Sequence, residues 1–400
     1  MNLSNNFKRV SAPETGRLAL QITSGASLNY PLYYFIPSIT SDERFLIHHK
    51  AWDGQVQIFR LDLETGEDIQ LSFASAEKTE WFPWCVNKGA GVLDHLSVLN
   101  VARNSVIYFD GSKVYEADVK TLKREQLFEL PSGRFPIGQN CVTPDGKWLV
   151  YIHHSKEIYE KMQEFSYHQH YEGRYLSTNN PAALCAYCFE TGEHRDLVWL
   201  NSPIHHVLPY DNENVIFCHP VNEGGMLMTS LRGGYYTHLR TQKADGGQVC
   251  HFLATKRGVM YEVGGNKGGI YNPFTHEKYE LYLPEGIGYT HTGFDPEGKL
   301  WFYENHARDI HDMYFLAKHN PGGSDEWVRL TGNWQTYDSW DAPDYNYAQS
   351  SHFHPSVTPD RKWILFTAGD KENMTNHIYL LNIEDLKETE GIPNVCKNIK

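Results

Sequence analysis

A degenerate internal repeat constrains this chain more than any other feature. Its first half is a short turn followed by an apolar run. Thr40-Ser41-Asp42-Glu43-Arg44-Phe45-Leu46-Ile47 is one copy and Thr143-Pro144-Asp145-Gly146-Lys147-Trp148-Leu149-Val150 another. Asp295-Pro296-Glu297-Gly298-Lys299-Leu300-Trp301-Phe302 and Thr358-Pro359-Asp360-Arg361-Lys362-Trp363-Ile364-Leu365 complete the set. Proline presets φ and glycine accepts a positive φ, so the first four residues make a turn and the hydrophobic residues after them a strand. The second half is an alternating strand, a tight turn and another strand. Gln57-Ile58-Phe59-Arg60-Leu61-Asp62-Leu63-Glu64-Thr65-Gly66-Glu67 shows it most clearly, with echoes beginning at Cys188, Ile270 and Tyr379. Each reads as a hairpin joining the last two strands of a four-stranded unit.

Four short strands recurring every roughly 40–60 residues are the sequence form of a β-propeller. The expectation is an all-β, seven-bladed β-propeller filling residues 1–400 as a single domain, with units starting near 30, 76, 136, 203, 249, 288 and 350. The segment Gly16–Thr23 carries the run Leu18-Ala19-Leu20-Gln21-Ile22. It is expected to add a strand to the last unit and close the ring, leaving no long free sheet edge. Two stretches break the pattern. Glu157–Tyr171 has helix-favouring composition and reads as an insertion, and Thr331–Ala348 reads as a long functional loop.

Composition narrows the function. The net charge is −13, which argues against nucleic acid or anionic membranes as partners. An anionic substrate then needs a local positive site. The 25 Tyr, 19 Phe and 10 Trp suit strand packing and also flat surfaces for sugar rings. Seven scattered cysteines, an odd number, argue against a disulfide framework and for a reducing compartment. Cys185 and Cys188 form a lone C-x-x-C on a strand-like run and read as core. No transmembrane helix is indicated, and the first residues lack the apolar core of a signal peptide. The expected location is cytoplasmic, or periplasmic if a signal was removed.

The richest chemistry lies near the end, in Gln349-Ser350-Ser351-His352-Phe353-His354-Pro355-Ser356-Val357-Thr358-Pro359-Asp360. Two histidines two residues apart share one face of a strand, and Gln349 can reach the same point from the preceding loop. His291 holds the equivalent place ahead of Asp295-Pro296-Glu297-Gly298. His251 sits in the unit before that, and His205-His206 in the one before again, with Cys218-His219 further on. Propeller ligands gather where each unit contributes one residue at the same repeat position. A cation held by His291, Gln349, His352 and His354 would be N/O-ligated with open positions, which suits Mn²⁺, Zn²⁺ or Ni²⁺ better than Ca²⁺. His251 can then be a base, since imidazole titrates near neutrality. His206, His219 and Tyr236 are candidate substrate contacts. Cation, arginine and neutral histidine are what β-elimination from a uronic acid requires. The positive groups neutralise the carboxylate and acidify the C5 proton, the base removes it, and the C4 oxygen leaves.

The C-terminal stretch resembles the Q-x-x-H-x-H-P-S-x-T-P-D segment of the oligogalacturonate lyases, seven-bladed propeller enzymes of pectin breakdown that use Mn²⁺. Weaker likeness runs along most of the chain, at Gln163-Glu164-Phe165, Phe217-Cys218-His219, Cys250-His251 and His291. The resemblance implies metal ligation by His291, Gln349, His352 and His354, a catalytic base at His251, and an acidic oligosaccharide as substrate. It also implies a carboxylate-binding arginine eight residues beyond a Glu-Gly pair. Here Pro220-Val221-Asn222 intervene before Glu223-Gly224, and the count then falls on Arg232. Two rival readings stand beside this one. The first is an ulvan-type uronate lyase of the same fold, and the second is a non-catalytic propeller scaffold. A peptidase-associated propeller ranks below both, because no G-x-S-x-G is present.

Overall fold

The computed structural model describes residues 1–76, 90–93, 96–157, 181–202, 204, 206–219, 225–241, 249–263, 267–282, 291–307, 310–321, 324–335, 353–370, 373 and 375–396. Its elements are thirty-one β-strands among those residues. The turn that opens each repeat closes in the same way four times. Residue i+3 donates its N–H to the carbonyl of residue i at 2.9 Å for Glu43 to Thr40 and 2.8 Å for Gly146 to Thr143, Gly298 to Asp295 and Arg361 to Thr358. The i+3 residue takes a positive φ each time, between 56° at Glu43 and 72° at Gly146. In the three copies that begin with threonine, its hydroxyl donates at 2.7 Å to the aspartate two residues on. It also accepts from the backbone N–H five residues on. These side-chain bonds fix the turn before any long-range contact exists.

The hairpin in the second half of the repeat is equally regular. Gly66 donates to the Asp62 carbonyl, Leu122 to Asp118, Gly192 to Cys188 and His276 to Asn272. Gly66, Leu122, Gly192 and His276 all have positive φ, which gives a short loop with one left-handed residue.

Residues 98–129, 207–241, 249–282 and 292–335 each form a four-stranded antiparallel meander. Residues 134–200 form a fifth whose first strand is split into Arg134–Pro136 and Cys141–Val142. The remaining sheet divides into a 28–70 meander and a C-terminal one, touching at a single parallel pair, Leu28 with Asn376. In the C-terminal meander, Ser356–Val357, Trp363–Asp370 and Thr375–Asn382 are joined by the N-terminal strand Leu18–Gln21, which pairs Ala19 with Leu381. Every residue of the strand Ala182–Cys188 is buried, as expected when both sheet faces are covered.

Two expectations need correction. Among the described residues the first strand of the second unit is Val98–Asn100 rather than one near residue 76, and Ala90–Gly91 pairs parallel with Gln55–Val56. Thr331–Gln335 is not loop but the end of the strand Glu326–Gln335, and the rest of that stretch lies outside the described residues. Of Glu157–Tyr171, only Glu157 is described.

Candidate active site

Four histidines stand at the start of the first strand in four consecutive meanders. His206 precedes Val207–Pro209, His251 lies in Val249–Thr255, His291 precedes Thr292–Phe294 and His354 lies just ahead of Ser356–Val357. Their rings form one continuous series. Centroids are 5.5 Å apart for His206 and His251, 4.7 Å for His251 and His291, and 4.3 Å for His291 and His354. Tyr33 and Tyr34, which follow the first strand of the 28–70 meander, pack against them. Tyr33 lies 5.8 Å from His206 and 5.1 Å from His354, and Tyr34 lies 5.9 Å from His251 and 5.2 Å from His291. His206, His251 and His291 are buried.

Local irregularities aim these rings. Register slips between Val249 and Phe252, so His251 sits on a bulge, a device that redirects a side chain. His354 has φ 44°, uncommon for a residue with a Cβ. Two backbone bonds hold it there: Phe353 N donates to Glu304 Oε1 at 2.9 Å and His354 N donates to Glu304 Oε2 at 3.2 Å.

Carboxylates and an amide stand behind the imidazoles. His291 Nδ1 donates to Glu304 Oε2 at 3.1 Å. His251 Nδ1 lies 3.5 Å from Glu262 Oε1, and Thr292 Oγ1 donates to Glu262 Oε2 at 3.0 Å. His206 Nδ1 donates to Gln139 Oε1. His291 and His206 are thus held from Nδ1, which leaves Nε2 as the nitrogen with a lone pair to offer, and His251 turns the same atom toward Glu262. Glu304 is 0% and Glu262 3% exposed, and a carboxylate that deep persists only with donors around it.

Sequence reasoning passed over Glu262, Glu304, Gln139 and the Tyr33-Tyr34 pair. A signal for the two acids was present, because Tyr261-Glu262 and Tyr303-Glu304 each follow apolar residues in the second strand of consecutive units.

Five other candidates fare differently. Gln349 and His352 lie outside the described residues, and His219 is described only in its backbone, which pairs with Gly225. Arg232 is not at the histidines. His206 accepts from Cys218 N, Cys218 pairs with Met226, and the strand Gly225–Ser230 then runs away from that level. Four residues at ~3.3 Å each carry it roughly 13 Å before Arg232 is reached, exposed in the turn beyond. Counting eight residues along the chain missed this because a strand spends those residues on travel. Tyr236 belongs to the same turn region, 41% exposed, against His238 and Phe217 rather than the histidine series. Cys185 and Cys188 are buried free thiols, and burial pushes the Cys185 thiol up, away from reactivity.

Among the described residues no group of three or more His, Cys, Asp or Glu is arranged to hold a metal ion. Two of the four named donors, His291 and His354, are placed, and they suit a divalent cation chemically. Both are imidazoles, their rings adjoin, and an anionic carboxylate backs His291.

No family model matches the chain. Curated relatives do. It is 23% identical over 394 residues to an oligogalacturonate lyase of Dickeya dadantii, covering 92% of this chain and 94% of the relative. It is 22% identical over 379 residues to an oligogalacturonide lyase of Pectobacterium atrosepticum, covering 88% and 90%. Among solved structures, an oligogalacturonate lyase in complex with manganese superposes with TM-score 0.75 at 20% identity, covering 96% of this chain and 99% of that one. The crystal structure of the Vibrio parahaemolyticus oligogalacturonate lyase gives TM-score 0.73 at 19% identity, covering 97% and 99%. Along nearly its whole length the chain thus resembles oligogalacturonate lyases in sequence and shares the fold of the solved ones.

Proposed function

We propose that this chain is a seven-bladed β-propeller lyase that cleaves uronate-containing oligosaccharides of the oligogalacturonate kind by metal-assisted β-elimination. The meanders are its blades, and the strand Leu18–Gln21 completes the last blade and closes the ring. The observation that carries the reading is the meeting of His206, His251, His291 and His354 from four consecutive meanders. The names of the curated relatives and the manganese held by a fold neighbour support it.

His291 and His354, with His352 and Gln349, would hold the cation, Mn²⁺ by analogy with that neighbour. When bound, it supplies the positive charge that neutralises the substrate carboxylate and acidifies the C5 hydrogen. Arg232 lies in the turn beyond the far end of the strand Gly225–Ser230, so it is given no part in that neutralisation. His251 Nε2 takes the C5 proton. The electron pair left behind forms the C4–C5 double bond and expels the C4 oxygen, which gains a proton from solvent. Glu262, 3.5 Å behind His251 Nδ1, stabilises the imidazolium as it forms. His206, held by Gln139, lines the approach as a substrate contact.

The test is the appearance of an ultraviolet-absorbing unsaturated uronate from oligogalacturonate. His251→Ala should lower its rate of formation by roughly 10²–10⁴-fold. Chelation should abolish it and added Mn²⁺ restore it. If no uronate oligosaccharide yields an unsaturated product, the proposal is wrong and a non-catalytic scaffold is favoured.

A further inference from the structure

We infer that Glu304 is the positioning residue that makes a cation site out of two blades. The inference rests on the reading of His291 and His354 as cation ligands. One carboxylate reaches three groups on two meanders: the His291 imidazole of its own meander, and the Phe353 and His354 backbone N–H groups of the next. It is fully buried, in the middle of the strand Trp301–Ala307, whose neighbours Phe302 and Tyr303 are core. A buried anion there serves no packing purpose that an apolar side chain would not serve better.

Its chemistry at this spot is specific. A carboxylate only accepts, so all three groups facing it must be donors. That fixes His291 with its proton on Nδ1 and its lone pair on Nε2, the form a metal ligand needs. It also holds His354 in its left-handed backbone conformation, ahead of Pro355, where the chain alone would not stay. The tautomer of His291 and the backbone position of His354 therefore depend on one side chain outside the cation-ligand set.

Glu262 makes a natural comparison. It stands at the same repeat position one meander earlier and likewise spans two meanders, reaching His251 and Thr292. It backs a histidine outside the cation-ligand set.

Glu304→Gln is isosteric but replaces an acceptor with an NH₂ donor. Facing His291, that donor forces the proton onto Nε2; facing Phe353 or His354, it opposes an N–H. Mn²⁺ binding to the purified chain, read from the paramagnetic resonance of free Mn²⁺, should weaken roughly 10- to 100-fold in Glu304→Gln. It should stay unchanged in Glu262→Gln. Undiminished binding by a folded Glu304→Gln protein overturns the inference, as does an equal loss in both variants, which would mean a general effect of charge. Histidine-selective ¹⁵N spectra of the metal-free wild-type chain, with His291 assigned through a folded His291→Gln variant, give a second readout that needs neither metal nor Glu304→Gln. They should show His291 protonated at Nδ1, and a resonance of the Nε2-protonated form overturns the inference. If the wild-type chain binds no Mn²⁺ while His291 has the stated tautomer, the cation reading falls and the positioning role of Glu304 survives.

Discussion

His153, outside the histidine series, is set up to report pH through stability. Arg134 Nε donates to its Nδ1 at 2.8 Å, and Cys185 Sγ lies 3.4 Å from its Nε2. Burial, followed by the charge of Arg134, lowers its pKa to about 4. The neutral ring is the one that fits, so the folded state is at full strength above the unfolded value near 6.5 and weakens as pH falls from there toward 4. Between pH 7 and 4.5 this one residue should cost the fold roughly 2–3 kcal/mol. His153→Asn keeps an acceptor for Arg134 but cannot titrate, so its urea midpoints should fall less than those of the wild type over that interval. Parallel profiles would show that His153 is not the sensor. At the same scale, Arg232→Ala should leave the rate on oligogalacturonate unchanged within about twofold, as befits an exposed surface site. A large loss would show that the turn does reach substrate. The histidines were legible in sequence because they recur at one repeat position. The acids behind them recur as well, after Tyr261 and Tyr303, but were passed over because a Glu within a core strand shows no partner in one dimension. Arg232 was misplaced because counting residues ignores which way a strand runs.

Between elements, one close approach lies beside the site. A Cβ on Gly293 would sit 2.5 Å from the Pro355 carbonyl oxygen. Glycine there lets the strand Thr292–Phe294 lie against the segment that carries His354, so the two rings come within 4.3 Å. Gly293→Ala should push the two apart, costing about 1–3 kcal/mol by overpacking and weakening Mn²⁺ binding as well. Urea unfolding and the Mn²⁺ titration check both, and a variant as stable and as tightly binding as the wild type would refute the account. The turns and hairpins were readable because each is settled within five or six residues by Thr, Asp, Asn and Gly. First strands were not. Cys141–Val142 and Ser356–Val357 are two residues long, and alternation cannot show in so short a run. The second unit was started too early for a related reason: its approach makes a parallel contact back to Gln55–Val56, which no alternating pattern announces.

At the scale of the molecule, the repeat was enough to announce an all-β chain of four-stranded meanders, and the run from Leu18 to Ile22 announced its N-terminal strand. Phe7, Leu20 and Ile22 are buried in one cluster with Leu365, Ile378 and Leu380 of the last meander. At ~1.5–3 kcal/mol for each large apolar side chain, a chain lacking residues up to Ile22 should lose on the order of 5 kcal/mol. It should also associate through the bared edge of Thr375–Asn382. Calorimetry and light scattering measure the two effects, and an unaltered melting point in a monodisperse sample would contradict the role given to that strand.

The pairing of Ala19 with Leu381 also sets an order of events during synthesis. The earlier strand, which pairs locally with Lys8–Ser11, leaves the ribosome hundreds of residues before Leu381 and waits with its other edge open while the intervening meanders collapse. Until the strand Thr375–Asn382 has been made the protein has two unfinished edges, and any pause before that point prolongs the interval in which those edges can capture a neighbouring nascent chain.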